Sequence, residues 1–340
     1  MKILRRTFKI IGCILAAVLA LFFLLYAIFA IIGGIAYREC KSLRETVCRI
    51  PDLGSGFAPQ GIAYSAEEDL YILTGYDGNN VVRLYLVKGD DSRRILLKDE
   101  KGDELKGHAG GVACTKDRVY VAGSSSLYLF SLQELLTAEV GSAVAVQRTF
   151  FVDNNAAYCH SDGEFLYVGE FYRASNYKTA ESHHFVTPNG DENKAIVSRY
   201  RLDESGLLVE EDGQPYPISC ISVTGLVQGF ALTGETCVLS RSYGLKNSEL
   251  EYHTLPKDAE RTISVKFSKN SDAPAREVPL YYLDATTLKK TLILPAFSED
   301  VTVANGKIVV TNESAANKYV VGKLFGANKV YSFPLEFNAE

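Results

Sequence analysis

From residue 45 onward the chain is a succession of short apolar segments separated by polar turns, and five stretches share one grammar. Each opens with a short apolar strand and passes through a polar turn, often with Asp, Glu or Gly. A β-branched or aromatic strand follows, then a small or polar break, then a strand with aromatic alternation. The first copy is QGIAYSAEEDLYILTGYDGNNVVRLYLV from Gln60, and the second is GGVACTKDRVYVAGSSSLYLFSL from Gly110. The third is NAAYCHSDGEFLYVGEFYR from Asn155, resuming as AIVSRYRL from Ala195. The fourth is QGFALTGETCVLSRSYG from Gln228, with PLYYLDATTLKK from Pro279 as its later strand. The fifth is EDVTVANGKIVVTNES from Glu299 and ends in ANKVYSFPL from Ala327.

Apolar runs of this length closed by turn residues predict strands. A repeat of roughly 40–50 residues with up to four strands predicts blades of a β-propeller. Outside the N-terminus only SLQELLTAEVG, from Ser131, reads as a short helix. Two polar inserts widen the later spacing: ASNYKTAESHHFVTPNGDENK from Ala174 and LPKDAERTISVKFSKNSDAPARE from Leu255. Both belong on the surface, as a lid over the channel or as decoration. The pattern favours an all-β propeller of five blades, with a degenerate sixth in the second insert left open. Because an open array exposes strand edges, the ring must close. The segment ETVCRIPDL from Glu45 has strand character and no blade of its own, so it is expected to supply the outer strand of the last blade.

The N-terminus follows a different pattern. No charged residue occurs from Ile10 to Ala36, and Lys2, Arg5, Arg6 and Lys9 precede the run. A membrane span needs about 20 apolar residues, and the positive-inside rule keeps the basic end cytoplasmic. The expected organisation is a basic cytoplasmic tail (1–9), a transmembrane signal-anchor helix (10–36), a stalk (37–47) and an extracytoplasmic propeller (48–340) in the cell membrane. A cleaved signal peptide is the rival reading, with Gly34-Ile35-Ala36 as a weak cleavage site, but its apolar core would run only about 7–15 residues.

Composition changes this picture little. The 340 residues carry a net charge of -5 with mixed signs, so no basic stripe suggests nucleic acid. Seven cysteines include no C-x-x-C, which leaves zinc-ribbon and thioredoxin readings without support. Cys40 and Cys48 could staple the stalk; Cys114, Cys159, Cys220 and Cys237 sit in apolar strand contexts and read as buried thiols.

Pro59-Gln60-Gly61-Ile62-Ala63 with Leu70-Tyr71-Ile72 resembles the repeat of NHL-type propellers, as does Gln228-Gly229-Phe230-Ala231. His108-Ala109-Gly110-Gly111-Val112-Ala113 with Val119-Tyr120-Val121 is a looser match. The wider group includes the strictosidine-synthase-like, gluconolactonase and paraoxonase propellers, the calcium-dependent phosphotriesterase-like superfamily. The resemblance implies six blades and calcium at the channel. Some strictosidine-synthase-like members also share the single-pass topology.

In register, the copies put Gln60, Gly110, Asn155, Gln228 and Glu299 at the head of the innermost strand, with His108 and Asp153 two residues earlier. A second tier follows the second strand: Tyr76, Asp77, Ser124, Glu170, Tyr172, Arg173, Arg241, Tyr243, Asn312 and Glu313. Positions interchangeable for packing carry different polar groups here, as in a ligand site built on a symmetric scaffold. Gln60, Tyr76, Asp77, Asp153, Tyr172, Arg173, Gln228, Arg241 and Tyr243 are the expected ligand contacts. Glu299, Asn155, Asn312 and Glu170 carry the oxygens that calcium prefers, and His108 is the candidate acid/base.

Each has a plainer alternative. Gln60 and Gln228 suit polar bonding to neighbouring backbones. His108 could be a hydrogen-bonded strand entry, and Arg241 with Glu170 an inter-blade ion pair. His183-His184, within an insert, is expected to be exposed. Asn312-Glu313-Ser314 is a glycosylation sequon by pattern, but its channel position argues against use. No G-x-S-x-G, H-E-x-x-H or P-loop occurs. The reading is a membrane-anchored module binding an unknown small molecule or protein at its channel mouth; the alternative is a calcium-dependent hydrolase or lactonase-like enzyme.

Overall fold

A computed structural model describes residues 2–268, 272–319, 322–325 and 327–337. The chain forms two units, one ending at Ser42 and the other beginning at Leu43. The first is the helix Lys2–Ala36 with the start of a short second helix, Arg38–Leu43. Its segment Arg5–Ala36, 32 residues, is long and apolar enough to cross a membrane. Phe8, Leu15, Val18 and Phe22 are among the side chains it leaves exposed.

The second unit is a five-bladed propeller. Blade 1 comprises Ala58–Ser65, Leu70–Tyr76, Val82–Lys88 and Asp91–Lys98, with Ala143–Ala145 added in parallel at its outer edge. Blade 2 comprises Gly111–Thr115, Arg118–Ser131 and Arg148–Ala156. The short helix Leu132–Thr137 follows its second strand, and Ser131 caps it by accepting the Glu134 N–H. Blade 3 opens with Tyr158–Ser161, Phe165–Gly169, Ala195–Arg201 and Ser219–Val223. Blade 4 is Val227–Thr233, Thr236–Arg241, Ser248–Thr254 and Leu288–Leu294. Blade 5 is Ser298–Ala304, Lys307–Asn312 and Lys329–Pro334. Its outermost strand is Glu45–Arg49, paired antiparallel at Glu45↔Ser332 and Arg49↔Lys329. The two ends of the propeller are thus held in one sheet, which is how the ring closes.

Both faces of a blade pack against a neighbour, so apolar residues fill successive positions rather than alternate ones. Ile62 and Leu73 join Val309 and Val330 between blades 5 and 1, while Ala63 and Ile72 join Val112 and Val121 between blades 1 and 2. Tyr167 and Val197 meet Phe230 and Leu239 between blades 3 and 4.

Three expectations are corrected here. The segment at Pro279 does not belong to blade 4. Arg276–Tyr282 lies parallel to Ser219–Val223 at Cys220↔Leu280 and carries Arg261–Val265 beside it. The second insert thereby covers the outer edge of blade 3, and no sixth blade lies in its described part. The third ring position is not Asn155, which lies one residue before the end of the last strand of blade 2. Pairing of Gly61 with Thr74, Gly111 with Ala122, Tyr158 with Gly169 and Gly229 with Ser240 makes Ala157 the equivalent of Gln60. Finally, none of the seven cysteines is in a disulfide, so Cys40 and Cys48 form no staple. Cys48 is instead packed between blades 5 and 1.

Candidate functional site

Around the axis the innermost strands approach to backbone contact. A Cβ on Gly61 would lie 2.8 Å from the Gly111 carbonyl carbon and 2.4 Å from Thr74 Oγ1. One on Gly229 would lie 2.6 Å from Asp300 Cα. Glycine after the strand-head glutamine is therefore a requirement of blade spacing. Strands this close turn unpaired backbone N–H groups toward the axis, and Asp300 meets them. Its Oδ2 accepts from Ile62 N at 3.1 Å and its Oδ1 from Val301 N at 2.9 Å, and Val112 N also donates to it. Fully buried, this carboxyl bridges blades 1, 2 and 5. Burial raises its pKa well above the usual range, against the pull of the three N–H donors.

Beside this hub lies a cavity of about 730 Å³. The strand-head residues of all five blades line it: Gln60, Gly110, Ala157, Gln228 and Glu299. The second tier contributes Tyr76, Ser124, Tyr243 and Glu313, and Phe171, between Glu170 and Tyr172, also lines the cavity. The first insert adds Asn176, Tyr177 and Lys178, so it walls the cavity rather than decorating the surface. The loop after Asn312 adds Lys318 and Tyr319.

The most perturbed chemistry is a carboxyl pair. Glu299 and Glu313, both nearly fully buried, are hydrogen-bonded to each other. Glu313 Oε2 also accepts from Gln60 Nε2 at 2.8 Å, and Tyr319 donates a further bond to Glu313. Burial raises both pKa values. Glu313, which already accepts from Gln60 and Tyr319, is the acceptor of the pair, and Glu299 is its donor. Lys318 Nζ donates to the Tyr76 hydroxyl and stands over the Tyr76 and Tyr319 rings, 4.7 and 5.3 Å from their centroids. Tyr76 stacks on His108 with centroids 4.6 Å apart and planes 11° from parallel. Partial burial and the Lys318 charge lower the His108 pKa, which favours the neutral ring.

Of the expected ligand contacts, Gln60, Tyr76, Gln228 and Tyr243 line the cavity, as does His108. The other five have different partners. Asp77 accepts from the N–H groups of Asn79 and Val81 and pairs with Arg83 at 2.9 Å. Asp153 accepts from Lys266 N at 3.0 Å. Tyr172 packs edge-on against His184. Arg173 bonds Asn176 and lies 4.0 Å over the Tyr243 ring, which props the insert against the cavity rim. Arg241 does not pair with Glu170; it reaches Glu249 at 2.9 Å and Glu251 at 2.5 Å on the next strand of its own blade.

The four oxygens named for calcium are not gathered. Glu299 and Asn155 line the cavity. Glu170 instead accepts from Asn155 N and Ile196 N and meets His183 Nδ1 at 3.0 Å. Asn312 Oδ1 takes Ser314 N at 2.7 Å, and its amide reaches Ala296 O. No group of three or more His, Cys, Asp or Glu placed to hold a metal occurs among the described residues. This donor set does not fit calcium.

The expected exposure of His183 is also corrected: it is only 4% exposed. Burial alone would lower its pKa, but the bond and charge of Glu170 raise it above the usual value. Sequence reasoning missed this anchor, and it missed Lys318 and Tyr319, which fall in an irregular loop outside the repeat. The departure of that loop from the repeat grammar was the available signal.

No family model matches the chain, and no curated protein matches it. Solved structures similar to it include the WD40 β-propeller domain of Doa1, at 11% identity and TM-score 0.37, covering 82% of this chain and 94% of that one. The β-propeller domain of Cps50 (Swd1) from Myceliophteria thermophila is 7% identical with TM-score 0.35, covering 81% and 83%. BamB from Moraxella catarrhalis is 7% identical with TM-score 0.33, covering 81% and 84%.

Proposed function

We propose that this chain is a membrane-anchored, extracytoplasmic β-propeller that binds a ligand in the cavity at its channel mouth. The observation that carries the reading is the convergence of strand-head residues from all five blades on one cavity of about 730 Å³, within the size range of small-molecule sites, roughly 300–1,000 Å³. The lining differs from blade to blade where the scaffold would tolerate identity. Kinship to NHL-type or strictosidine-synthase-like propellers is part of the proposal and rests on the two Gln-Gly strand heads.

The test is a thermal-melt screen of the full chain in detergent against a metabolite library, in parallel with Gln228→Trp, which fills the cavity. Ligands that raise the wild-type melting temperature but not that of the variant support the reading. If every stabilising compound acts equally on both, the cavity is not the site. Anchoring is tested by an alkaline wash of membranes: retention of the mature protein supports it, and release indicates a cleaved signal sequence.

A second reading, hydrolysis, is favoured by the Glu299–Glu313 pair, since two carboxyls sharing a proton in a cavity are poised for acid/base work. His108 would be the second proton-transfer group. Loss of turnover in both Glu299→Gln and His108→Asn, with cavity binding retained, would select it over pure binding.

A further inference from the structure

The cavity's charge and wall chemistry define a ligand class. Its lining contains three lysines, Lys106, Lys178 and Lys318, and only two acidic residues, Glu299 and Glu313. Those acids bring at most two negative charges. The lining therefore carries an excess of positive charge. Neither Lys106 nor Lys178 has an ion-pair partner among the described residues, and both are exposed. Between floor and rim stand groups that donate and accept at once: Asn155, Asn176, Gln228, Ser124 and Ser242. Such groups match hydroxyls, which do the same. Aromatic faces complete the wall, with His108 on Tyr76 at one side and Phe171 6.3 Å from Tyr243 at another. Sugar rings present apolar C–H faces to such surfaces.

Resting on the binding reading above, we propose that the cavity takes an acidic saccharide, a hydroxylated ring compound bearing carboxylates, of which a uronate disaccharide is the simplest probe. The lysines face the carboxylates, the amides and hydroxyls take the ring hydroxyls, and the aromatic faces stack on the ring. The carboxyl pair is buried within the lining, and Glu313 is already bonded by Gln60 and Tyr319. The three lysines outnumber it, so the lining attracts a carboxylate rather than repelling it. A cationic sugar would meet the lysines with like charge, and a neutral one would leave them unpaired.

The test is calorimetric titration of the full chain in detergent with digalacturonate and diglucuronate, the methyl esters of each, cellobiose and inorganic phosphate. At least one free acid should bind, about tenfold or more tighter than its ester, with affinity falling as salt is raised. Lys178→Met and Lys106→Met, both at exposed positions, should each weaken it by about threefold to tenfold, and Gln228→Trp should abolish it. Lys318→Met should do the same as the other lysine changes, read only if its melting temperature is retained. Equal binding of acid and ester, binding of neither acid, indifference to the lysine changes, or competition by phosphate at equal concentration would each overturn the proposal. If the library screen yields only neutral or cationic ligands that Gln228→Trp excludes, the binding function stands and this inference fails.

Discussion

Replacing each member of the carboxyl pair with glutamine should have unequal effects, because the two acids play opposite parts in one hydrogen bond. Glu313 receives Gln60 Nε2, the Tyr319 hydroxyl and the Glu299 proton. A glutamine there keeps one oxygen and turns an NH₂ group toward incoming donors, so at least one buried donor loses its partner. That costs about 1–3 kcal/mol. In a domain of this size each kcal/mol lowers the melting temperature by about 2–4 °C, so Glu313→Gln should fall by roughly 2–12 °C. Glu299→Gln keeps a donor toward Glu313 and should fall by less than about 3 °C. The pair also makes stability depend on pH with an unusual sign. A carboxyl whose folded pKa lies above its unfolded value contributes stability that is full below the unfolded pKa, about 4.3 for Glu. That contribution is lost as pH rises through the folded value. Wild-type melting temperature should therefore decline as pH rises above that point, and Glu299→Gln should flatten the slope. Far-UV circular dichroism melts at a series of pH values, on the full chain in detergent, measure both quantities. Equal destabilisation by the two substitutions, or an unchanged slope in Glu299→Gln, would refute the placement of the proton.

Three further outcomes follow from the same geometry. Gly61→Ala places a methyl 2.8 Å from the Gly111 and Val112 backbone and should cost more than about 3 kcal/mol, read as a lower melting temperature or loss of soluble yield. Replacing Val47 and Cys48 with proline removes two N–H groups from the closing strand of blade 5 and should broaden the cooperative melt, since that strand holds the two ends of the propeller in one sheet; an unchanged transition would mean the strand is dispensable. The His183 anchor contributes stability below its unfolded pKa of about 6.5 that fades as pH rises through its raised folded value. Proteolysis of the 174–194 insert should therefore quicken at alkaline pH, and Glu170→Gln should make it fast at every pH.

Blade count and ring closure were legible because both are written locally. Each copy carries its own turn residues and apolar runs, and Glu45–Arg49 was left without a partner in its own neighbourhood. Strand assignment failed at Pro279 because parallel addition to the outer edge of blade 3 leaves no local mark: the pairing Cys220↔Leu280 joins residues distant in sequence. The third ring position slipped from Ala157 to Asn155 because the last strand of blade 2 runs to Ala156 and nearly abuts the next strand at Tyr158. With no polar turn between them, nothing separates the two copies. Candidate contacts divided by a similar logic. Gln60, Gln228 and Tyr243 reach the cavity, whereas Asp77 and Arg241 sit at equivalent repeat positions but have acquired neighbours, Arg83 and Glu251, that turn them aside. Repeat register predicts where a side chain begins, and its ion-pair partners decide where it ends.

The odd member of the ring explains why the cavity has a floor. Five strands converging at backbone distance would leave N–H groups of Ile62 and Val112 facing an axis too narrow for continuous water. A glycine in the fifth position, matching Gly61 and Gly229, would strand them at about 1–3 kcal/mol each. Asp300 places one carboxyl where it bonds both and its own neighbour Val301. Glu299, the residue immediately before it, is buried as well. That burial is the largest cause of the raised Glu299 pKa. The residue that closes the scaffold and the residue that keeps a proton in the cavity are adjacent in sequence for a physical reason. The ladder register shifts between Ser298 and Val301, and this irregular strand head aims the Asp300 carboxyl at the backbone N–H groups on the axis while Glu299 lines the cavity.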